Sequence, residues 1–347
     1  RISQLLLAGE RSLRLDGVTG ELTLGPGGII DRTLRAGRFI DGHGRAIAGP
    51  ARKAGPEFTF SFRDRMDERY DMARSVTDGR FRYIRNYYPS QPWGQHLEYL
   101  WRQPSMKEWA GLFAAGKLNA AQRAFFENKP TEELFDCAAD PDNVRNLAAD
   151  PAARPQLLRL RAALRAHQLA VRDTGFMPEP LLVAWSGQDS PSVVAADEKR
   201  YPLARILEQI DALQLPAQPD AAALIAALRS PEPVIRYWAA VAALRATTPP
   251  DVTALFADAE PVVRLAAAEV VLRRGDNAAA WSIVEAVLKD ATKSEARLFA
   301  VNVVARIPRP APKAIVSVLA LLASSTAAGG GENYTARAAE HLVKKSE

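Results

Sequence analysis

Three ten-residue segments in the last third of the sequence share one pattern of residues. They are Arg236–Arg245, Arg264–Arg273 and Arg297–Arg306, and each has Ala three places after its first Arg and an apolar residue before its last. The apolar spacing is typical of helices. A short helix that repeats in this way cannot bury its apolar face alone and must stack on its neighbours. The repeat therefore predicts an all-α stack of helices over residues 201–347.

This helical region resembles HEAT repeats, although its spacing of 28 and then 33 residues is shorter than the usual HEAT unit. A fourth, weaker copy begins at Arg337. Arg236, Arg264 and Arg297 recur once per repeat, and we expect them to bridge successive helices rather than to bind a ligand. The resemblance implies an α-solenoid, an architecture whose concave surface commonly binds partner proteins.

The sequence before residue 201 has a different character. Residues 1–55 mix short β-like runs with glycines and are poorly defined, and Gly25–Gly28 lack the GK[ST] ending of a phosphate loop, so a turn is expected there. In residues 56–180, EFTFSF alternates as a strand does, Asp78-Gly79 divides a β-hairpin, and an amphipathic helix covers 152–172. Residues 181–200 are rich in Pro, Gly and Ser and are expected to be a linker. The predicted fold class is α+β, a small antiparallel sheet with packed helices followed by the helical stack.

Composition excludes several classes of protein. The net charge of +5 over 347 residues is small, and the basic residues are scattered among acids, which argues against nucleic-acid binding. One cysteine, Cys137, rules out an intramolecular disulfide. No apolar run is long enough for a membrane span. The chain begins at Arg1 with no signal peptide, and we expect it to be a fragment.

Several motifs in residues 57–180 occur in the order found in one enzyme family. They include FRDRMDERYDMARSVTDGRFRYIRNYYP, GQHLEYLWRQPS, RDTGFMPE and the E-L-[YF]-D…D-P…N-L-A pattern at Glu133–Asp136, Asp140-Pro141 and Asn146–Ala148. The region resembles the C-terminal subdomain of a sulfatase of the heparan N-sulfatase (sulfoglucosamine sulfohydrolase-like) branch. The resemblance implies a four-stranded antiparallel sheet carrying a helix, and a periplasmic or secreted enzyme that hydrolyses sulfate esters or sulfamates on sulfated glycans.

The same resemblance implies a formylglycine nucleophile and a calcium ion, and this sequence departs from the family at both. The family's nucleophile lies in C-x-[PA]-x-R, whereas Cys137 is followed by Ala-Ala-Asp-Pro. We therefore expect no catalytic residue and no metal site in this chain. Calcium is expected in the full-length enzyme only, together with a missing N-terminal sulfatase domain, and this chain alone is predicted to be inactive.

The charged block after Phe62 supplies the candidate substrate-binding residues. Guanidinium groups pair with sulfate or uronate oxygens, and carboxylates accept hydrogen bonds from sugar hydroxyls. A loop between two strands can direct such groups at a substrate pocket, but an internal network of ion pairs that braces the sheet is the alternative. His96 could contact a substrate or only bond locally. The candidates are Arg63, Asp64, Asp67, Glu68, Arg69 and His96.

A second hypothesis from another class stays open. The chain could be a non-enzymatic interaction scaffold, in which a sulfatase remnant is joined to a helical region that binds a protein partner. Trp93, Tyr99, Trp101 and Trp109 could stack on sugars, although their helical spacing is more typical of core residues.

Overall fold

A computed structural model of the chain describes the backbone of residues 12–15, 18–24, 30–31, 37–40 and 43–46, and residues 56–325 and 333–346. These residues divide into two compact units, Arg1–Glu57 and Phe58–Glu347. In the first unit, β1 (Ser12–Leu15), β2 (Val18–Leu24) and β3 (Ile30–Asp31) form an antiparallel sheet in that order. β4 (Gly37–Ile40) pairs with β5 (His43–Ala46). The turn predicted at 25–28 lies outside the described residues.

The second unit begins with a four-stranded antiparallel sheet. Its strands are β6 (Thr59–Arg63), β7 (Ala73–Thr77), β8 (Phe81–Asn86) and β9 (Glu132–Asp136), and they lie side by side in that order. The hairpin predicted at Asp78-Gly79 joins β7 to β8. Gly79 has a φ of 97°, a conformation that favours glycine, and the Asp78 side chain accepts hydrogen bonds from the backbone N–H groups of Arg80 and Phe81. The predicted hairpin is confirmed.

The helix α4 (Arg154–Ala170) covers one face of this sheet and corresponds to the helix predicted over residues 152–172. Strand register aligns a row of apolar residues across the sheet, and Leu157, Leu160 and Leu164 of α4 pack on that row at helical spacing. The row is Phe60, Val76, Tyr83 and Leu134. The small sheet and its helix therefore form a core of their own.

The connection from β8 to β9 carries three short helices, α1 (Glu98–Trp101), α2 (Pro104–Ala114) and α3 (Ala120–Arg123). Pro104 is the first residue of α2. Proline has no backbone N–H, and no hydrogen bond is lost there because the first N–H groups of a helix have no partner within the helix. Trp109 of α2 stacks on Phe125 with ring centroids 4.7 Å apart, and Phe126 meets its edge. Trp109 therefore packs inside this connection, in agreement with the core interpretation of its spacing.

Ten further α-helices follow in the part of the unit that the structure describes, and a 3-10 helix (Thr253–Ala257) lies between the fifth and the sixth of them. They are α5 (Glu179–Ser186), α6 (Pro191–Ala196), α7 (Leu203–Gln214), α8 (Ala221–Leu228), α9 (Pro233–Ala243), α10 (Pro261–Leu272), α11 (Ala278–Lys289), α12 (Ser294–Arg306), α13 (Lys313–Ala323) and α14 (Tyr334–Ser346). From α8 to α12 each helix packs on the next, and α10 also packs on α12 and α11 on α13. The fold is thus α+β with a small four-stranded sheet and many helices. The HEAT-like assignment stays a prediction, and no described helix is long and apolar enough to cross a membrane.

The residues expected to form a linker, 181–200, instead form parts of α5 and all of α6. Leu181 and Val194 are buried in the same core as the helices that follow. The prolines that suggested a linker occupy first turns: Pro180 lies in the first turn of α5 and Pro191 begins α6. Proline is favoured at these helix positions because their N–H groups have no partner within the helix.

Residues that flank the sheet strands are buried in the core of the following helices. Tyr70, Met72, Tyr87 and Tyr88 extend from the sheet side into the cluster that contains Trp238 of α9. The Tyr88 and Tyr237 hydroxyls form a hydrogen bond of 2.6 Å, and Trp238 Nε1 donates to the Phe176 carbonyl oxygen at 2.8 Å. These contacts position the charged block beside the helical region.

Candidate functional site

The charged block is the connection between β6 and β7, residues 64–72. Its chain reverses at Met66 and Arg69, whose backbones exchange two hydrogen bonds of 2.9 Å. Asp67 at the tip has a φ of 47°, in the left-handed region where Asp is better tolerated than most residues. The reversal directs neighbouring side chains into different parts of the protein, so the block does not act as one surface.

Arg63 belongs to a buried charge cluster. Lys129 donates to Asp71 Oδ1, and the side chains of this pair are 0% and 1% exposed. Arg63 Nε lies 3.5 Å from Asp71 Oδ2, and both cations lie over the Trp93 ring. Burial lowers the pKa of Lys129, and Asp71 opposes this shift. Arg63 is therefore held by internal partners, although a third of its side chain remains exposed.

Asp64 lies beside an open cleft. Arg74 Nη1 donates to Asp64 Oδ1 at 2.9 Å, and the same guanidinium holds both carboxylate oxygens of Asp173, at 2.7 and 2.9 Å. Although burial disfavours the charged form, the bonds to Asp173 and Asp64 raise the pKa of Arg74. The two acids therefore share the Arg74 guanidinium.

The cleft has a volume of about 600 Å³. Its acidic and arginine lining is Asp64, Arg74, Arg172 and Asp173, and its apolar lining includes Phe60 and Phe62. Phe62 is 78% exposed. We did not single out Phe62, Arg74 or Asp173 from sequence. The alternation of β6 places Phe62 on the same face as Phe60, and this pattern could have identified Phe62 from the sequence. Asp173 is brought to the cleft only by the tertiary fold.

Asp67 lies next to a second network of charged side chains and hydrogen bonds, which is centred on Arg65 and Glu179. Arg65 forms a bidentate ion pair with Glu179, with Nη2 2.8 Å from Oε1, and its Nη1 donates to the Asp67 carbonyl oxygen at 2.6 Å. The Tyr70 hydroxyl donates to Glu179 at 2.9 Å. The Asp67 carboxylate has no ion-pair partner among the residues that the structure describes. Asp67 is thus a half-buried carboxylate at the tip of the block.

Glu68 and Arg69 point into the protein and are 1% and 3% exposed. Glu68 Oε1 accepts a 2.6 Å hydrogen bond from the backbone N–H of Glu98, at the start of α1, and its Oε2 lies 3.6 Å from Arg337. Asn302 of α12 donates to the Glu68 carbonyl oxygen at 2.8 Å. Glu68 and Arg69 therefore brace the sheet against the helical region, which is the alternative to substrate binding given above.

His96 contacts the same buried region. Its carbonyl oxygen accepts from Arg69 Nε, and its ring stacks on His341 of α14 with centroids 3.5 Å apart. Burial and Arg69 lower the pKa of His96 to about 4, so the ring is neutral at neutral pH. The six candidates therefore separate: Arg69 and His96 meet at one place, Asp64 lines the cleft, and Arg63, Asp67 and Glu68 each have other partners.

Cys137 follows β9 in a turn. Its backbone N–H donates to the Arg80 carbonyl oxygen at 2.9 Å, and its Sγ lies 3.3 Å from Asn143 Oδ1. Within the described part of the chain, no group of three or more His, Cys, Asp or Glu side chains is placed to hold a metal ion.

No family model matches the chain. A comparison with curated proteins finds a similarity of 37% identity over 155 residues to an ulvan-active sulfatase of Formosa agariphila. The matched part covers 44% of this chain and 26% of the relative, so the chain spans about a quarter of that protein's length. The similarity supports a sulfatase-related region in this chain.

Proposed function

We propose that residues 56–180 form the C-terminal subdomain of a periplasmic or secreted sulfatase that hydrolyses sulfate esters or sulfamates on sulfated glycans. The observation that carries this proposal is the partial identity to an ulvan-active sulfatase, in a chain whose four-stranded sheet carries one helix. Because that relative's name specifies ulvan, this sulfated polysaccharide is the first substrate to test. The whole activity belongs to a longer protein than the matched region.

In this proposal the cleft beside Asp64 holds part of the glycan. Its volume of about 600 Å³ is within the range of small-molecule sites, about 300–1,000 Å³. The exposed Phe62 ring offers an apolar face for a sugar, and the Asp64 carboxylate can accept hydroxyl hydrogen bonds. Asp67 does not line this cleft. Glu68 takes no direct part in this site because it is buried among internal partners.

The reaction itself requires groups that we assign outside this sequence. The formylglycine would supply the nucleophile and calcium would neutralise the sulfate. Cys137 lies in a turn and has no family motif, so we do not assign it as the nucleophile. In the proposed enzyme, the residues of this chain bind and orient the glycan.

The first test is to read the coding region upstream of the Arg1 codon. We expect a sulfatase core with a C-x-[PA]-x-R motif, and its absence from every reading frame would remove the enzyme proposal. The longer protein should release sulfate from ulvan. Phe62→Ala should then raise KM about threefold to tenfold without lowering Tm, because the ring is exposed. Leu321→Ala, at an equally exposed residue on α13, is the matched control and should change neither value.

The alternative function as an interaction scaffold stays a prediction. The helical region has an intramolecular role in this structure, because α9 and α12 cover Tyr87, Tyr88 and Glu68. A pull-down with the full chain tests for a protein partner. A partner whose binding is lost after substitutions on the exposed side of α13, such as Leu321→Asp, would favour the scaffold.

A further inference from the structure

A second cavity, of about 420 Å³, lies between the residue 90–96 segment and the helices α12 and α14. Four cationic side chains line it, and the described lining residues include no carboxylate. The four are Arg69, Arg273, Arg306 and Lys345. Glu269, which pairs with Arg306 and lies 3.9 Å from Arg273, offsets only part of this charge. The cavity therefore has a net positive charge.

Two of the guanidinium groups are deeply buried and incompletely paired. Arg69 is 3% exposed, and no carboxylate among the described residues lies within ion-pair distance of it. Arg306, whose side chain is 10% exposed, holds Glu269 through Nε and Nη2, and its buried Nη1 has no hydrogen-bond partner. A buried donor without a partner costs free energy, and an unpaired buried charge costs more.

The local electrostatics favour an added anion. Burial lowers the pKa of Arg69 to about 10; Glu68 opposes this shift and Arg306 adds to it. The stacked His96 and His341 also line the cavity, and burial together with Arg69 keeps both rings neutral at neutral pH. The buried Nδ1 of His96 has no partner either. A neutral imidazole can donate a hydrogen bond to an anion without requiring a proton from solvent.

We propose that this cavity binds a tetrahedral oxyanion, sulfate or phosphate, either as a free ion or as the ester group of a larger molecule. Arg69 and Arg306 provide buried donors, and Arg273 and Lys345 provide charge nearer the opening. Guanidinium groups match the geometry of such anions with paired N–H donors. The site combines residues of the charged block with residues of the helices, and it does not depend on the proposed sulfatase activity.

Titration calorimetry on the 347-residue chain at pH 7.5 tests the proposal. Sodium sulfate and sodium phosphate are added at an ionic strength held constant with sodium chloride, and we expect saturable binding with an increase in Tm. Glucose 6-sulfate, compared with glucose, distinguishes the sources. Tighter binding of the ester would identify the group of a larger molecule, and tighter binding of the free ions would identify a site for the ion itself. No saturable binding of sulfate, phosphate or glucose 6-sulfate would overturn the proposal.

Substitutions locate the binding. Arg273→Gln should raise Kd about tenfold or more, which corresponds to a lost charge-assisted hydrogen bond. Lys345→Gln, at an exposed position, should raise Kd about threefold and keep the fold. Lys313→Gln removes an exposed cation away from the cavity and should leave Kd unchanged. Arg69→Met is the strongest variant, but its buried side chain also supports the fold, so the proposal is judged on Arg273 and Lys345. An unchanged Kd in both would contradict it.

Discussion

Lys129 and Asp71 form an ion pair with almost no exposed side-chain surface. Removing two charges from water costs free energy that their attraction only partly offsets, so such a pair contributes little net stability while each partner depends strongly on the other. Arg63 and the Trp93 ring complete the surroundings of the pair. This arrangement explains how a chain segment with so many charges can pack against the rest of the protein.

For these residues, we predict that removing either Lys129 or Asp71 alone lowers the free energy of unfolding. Lys129→Met should lower the free energy of unfolding by about 3 kcal/mol, because Asp71 then stays buried with only Arg63 at 3.5 Å. Lys129→Met combined with Asp71→Asn should cost less than the sum of the single substitutions. Lys289→Met, in an exposed pair with Glu285, should cost less than about 0.5 kcal/mol. Urea denaturation measures all four, and single-variant losses as small as that of the Lys289 control would contradict the buried-pair assignment.

Among the elements, the turn at residues 173–176 joins the sheet to the helices that follow. Arg74 of β7 reaches across to Asp173, and the turn brings Gly175 against this guanidinium. A Cβ at residue 175 would collide with Arg74 Nη2 and lie 3.0 Å from Asp64 Oδ1. Arg74 cannot move away easily, because its bonds to two carboxylates hold it in place.

We therefore predict that Gly175→Ala destabilises the protein by about 1–3 kcal/mol, the usual cost of overpacking. The change should also alter the cleft, because Arg74 and Asp64 line it. Gly111→Ala is the matched control: the added Cβ has no neighbour within 4 Å in α2, and alanine favours helix by up to about 1 kcal/mol. Thermal unfolding of both variants is the measurement. Equal Tm changes of the same sign would disprove the steric argument.

In the whole second unit, sheet and helices depend on one another. Tyr87, Tyr88 and Phe176 are buried against Trp238 of α9, and Asn302 of α12 bonds to the charged block. Separating the two halves would expose this apolar surface, and burial contributes about 25 cal/mol per Å². The buried cluster that contains these residues runs from Tyr70 to Leu342, and the sheet with α4 forms a second cluster.

We predict that residues 56–347 unfold in one cooperative transition. The fragments 56–200 and 201–347 should each lack a sharp transition, because each loses the surface that covers its exposed aromatic residues. Differential scanning calorimetry of the three chains, with circular dichroism of each fragment, provides the measurement. Two independent transitions in the longer chain, each at the Tm of one fragment, would show that the halves are separate domains.

Local patterns in the sequence were enough to predict the hairpin at Asp78-Gly79, the helix that covers the sheet and the helical character of residues 201–347. These features depend on turn chemistry and on apolar spacing between residues a few positions apart. The repeated arginines bond to neighbouring segments of the helical region, since Arg236 pairs with Asp258 before α10 and Arg297 bonds to the Leu288 carbonyl oxygen of α11. Prolines in the first turns of α5 and α6 misled the prediction of a linker, because the same residue type begins helices and interrupts them.

Only the tertiary structure decided what each charged residue of the block does. Arg69 meets His96, which is 27 positions away, and Asn302, which is 233 away, while Arg65 meets Glu179 across 114 positions. No local pattern specifies such partners, so the sequence was equally consistent with a substrate pocket and with an internal network of ion pairs that braces the sheet. Burial separates them: Asp64 and Asp67 keep contact with solvent, whereas Glu68 and Arg69 lie inside, because the chain reversal at the tip sends adjacent side chains to opposite surroundings.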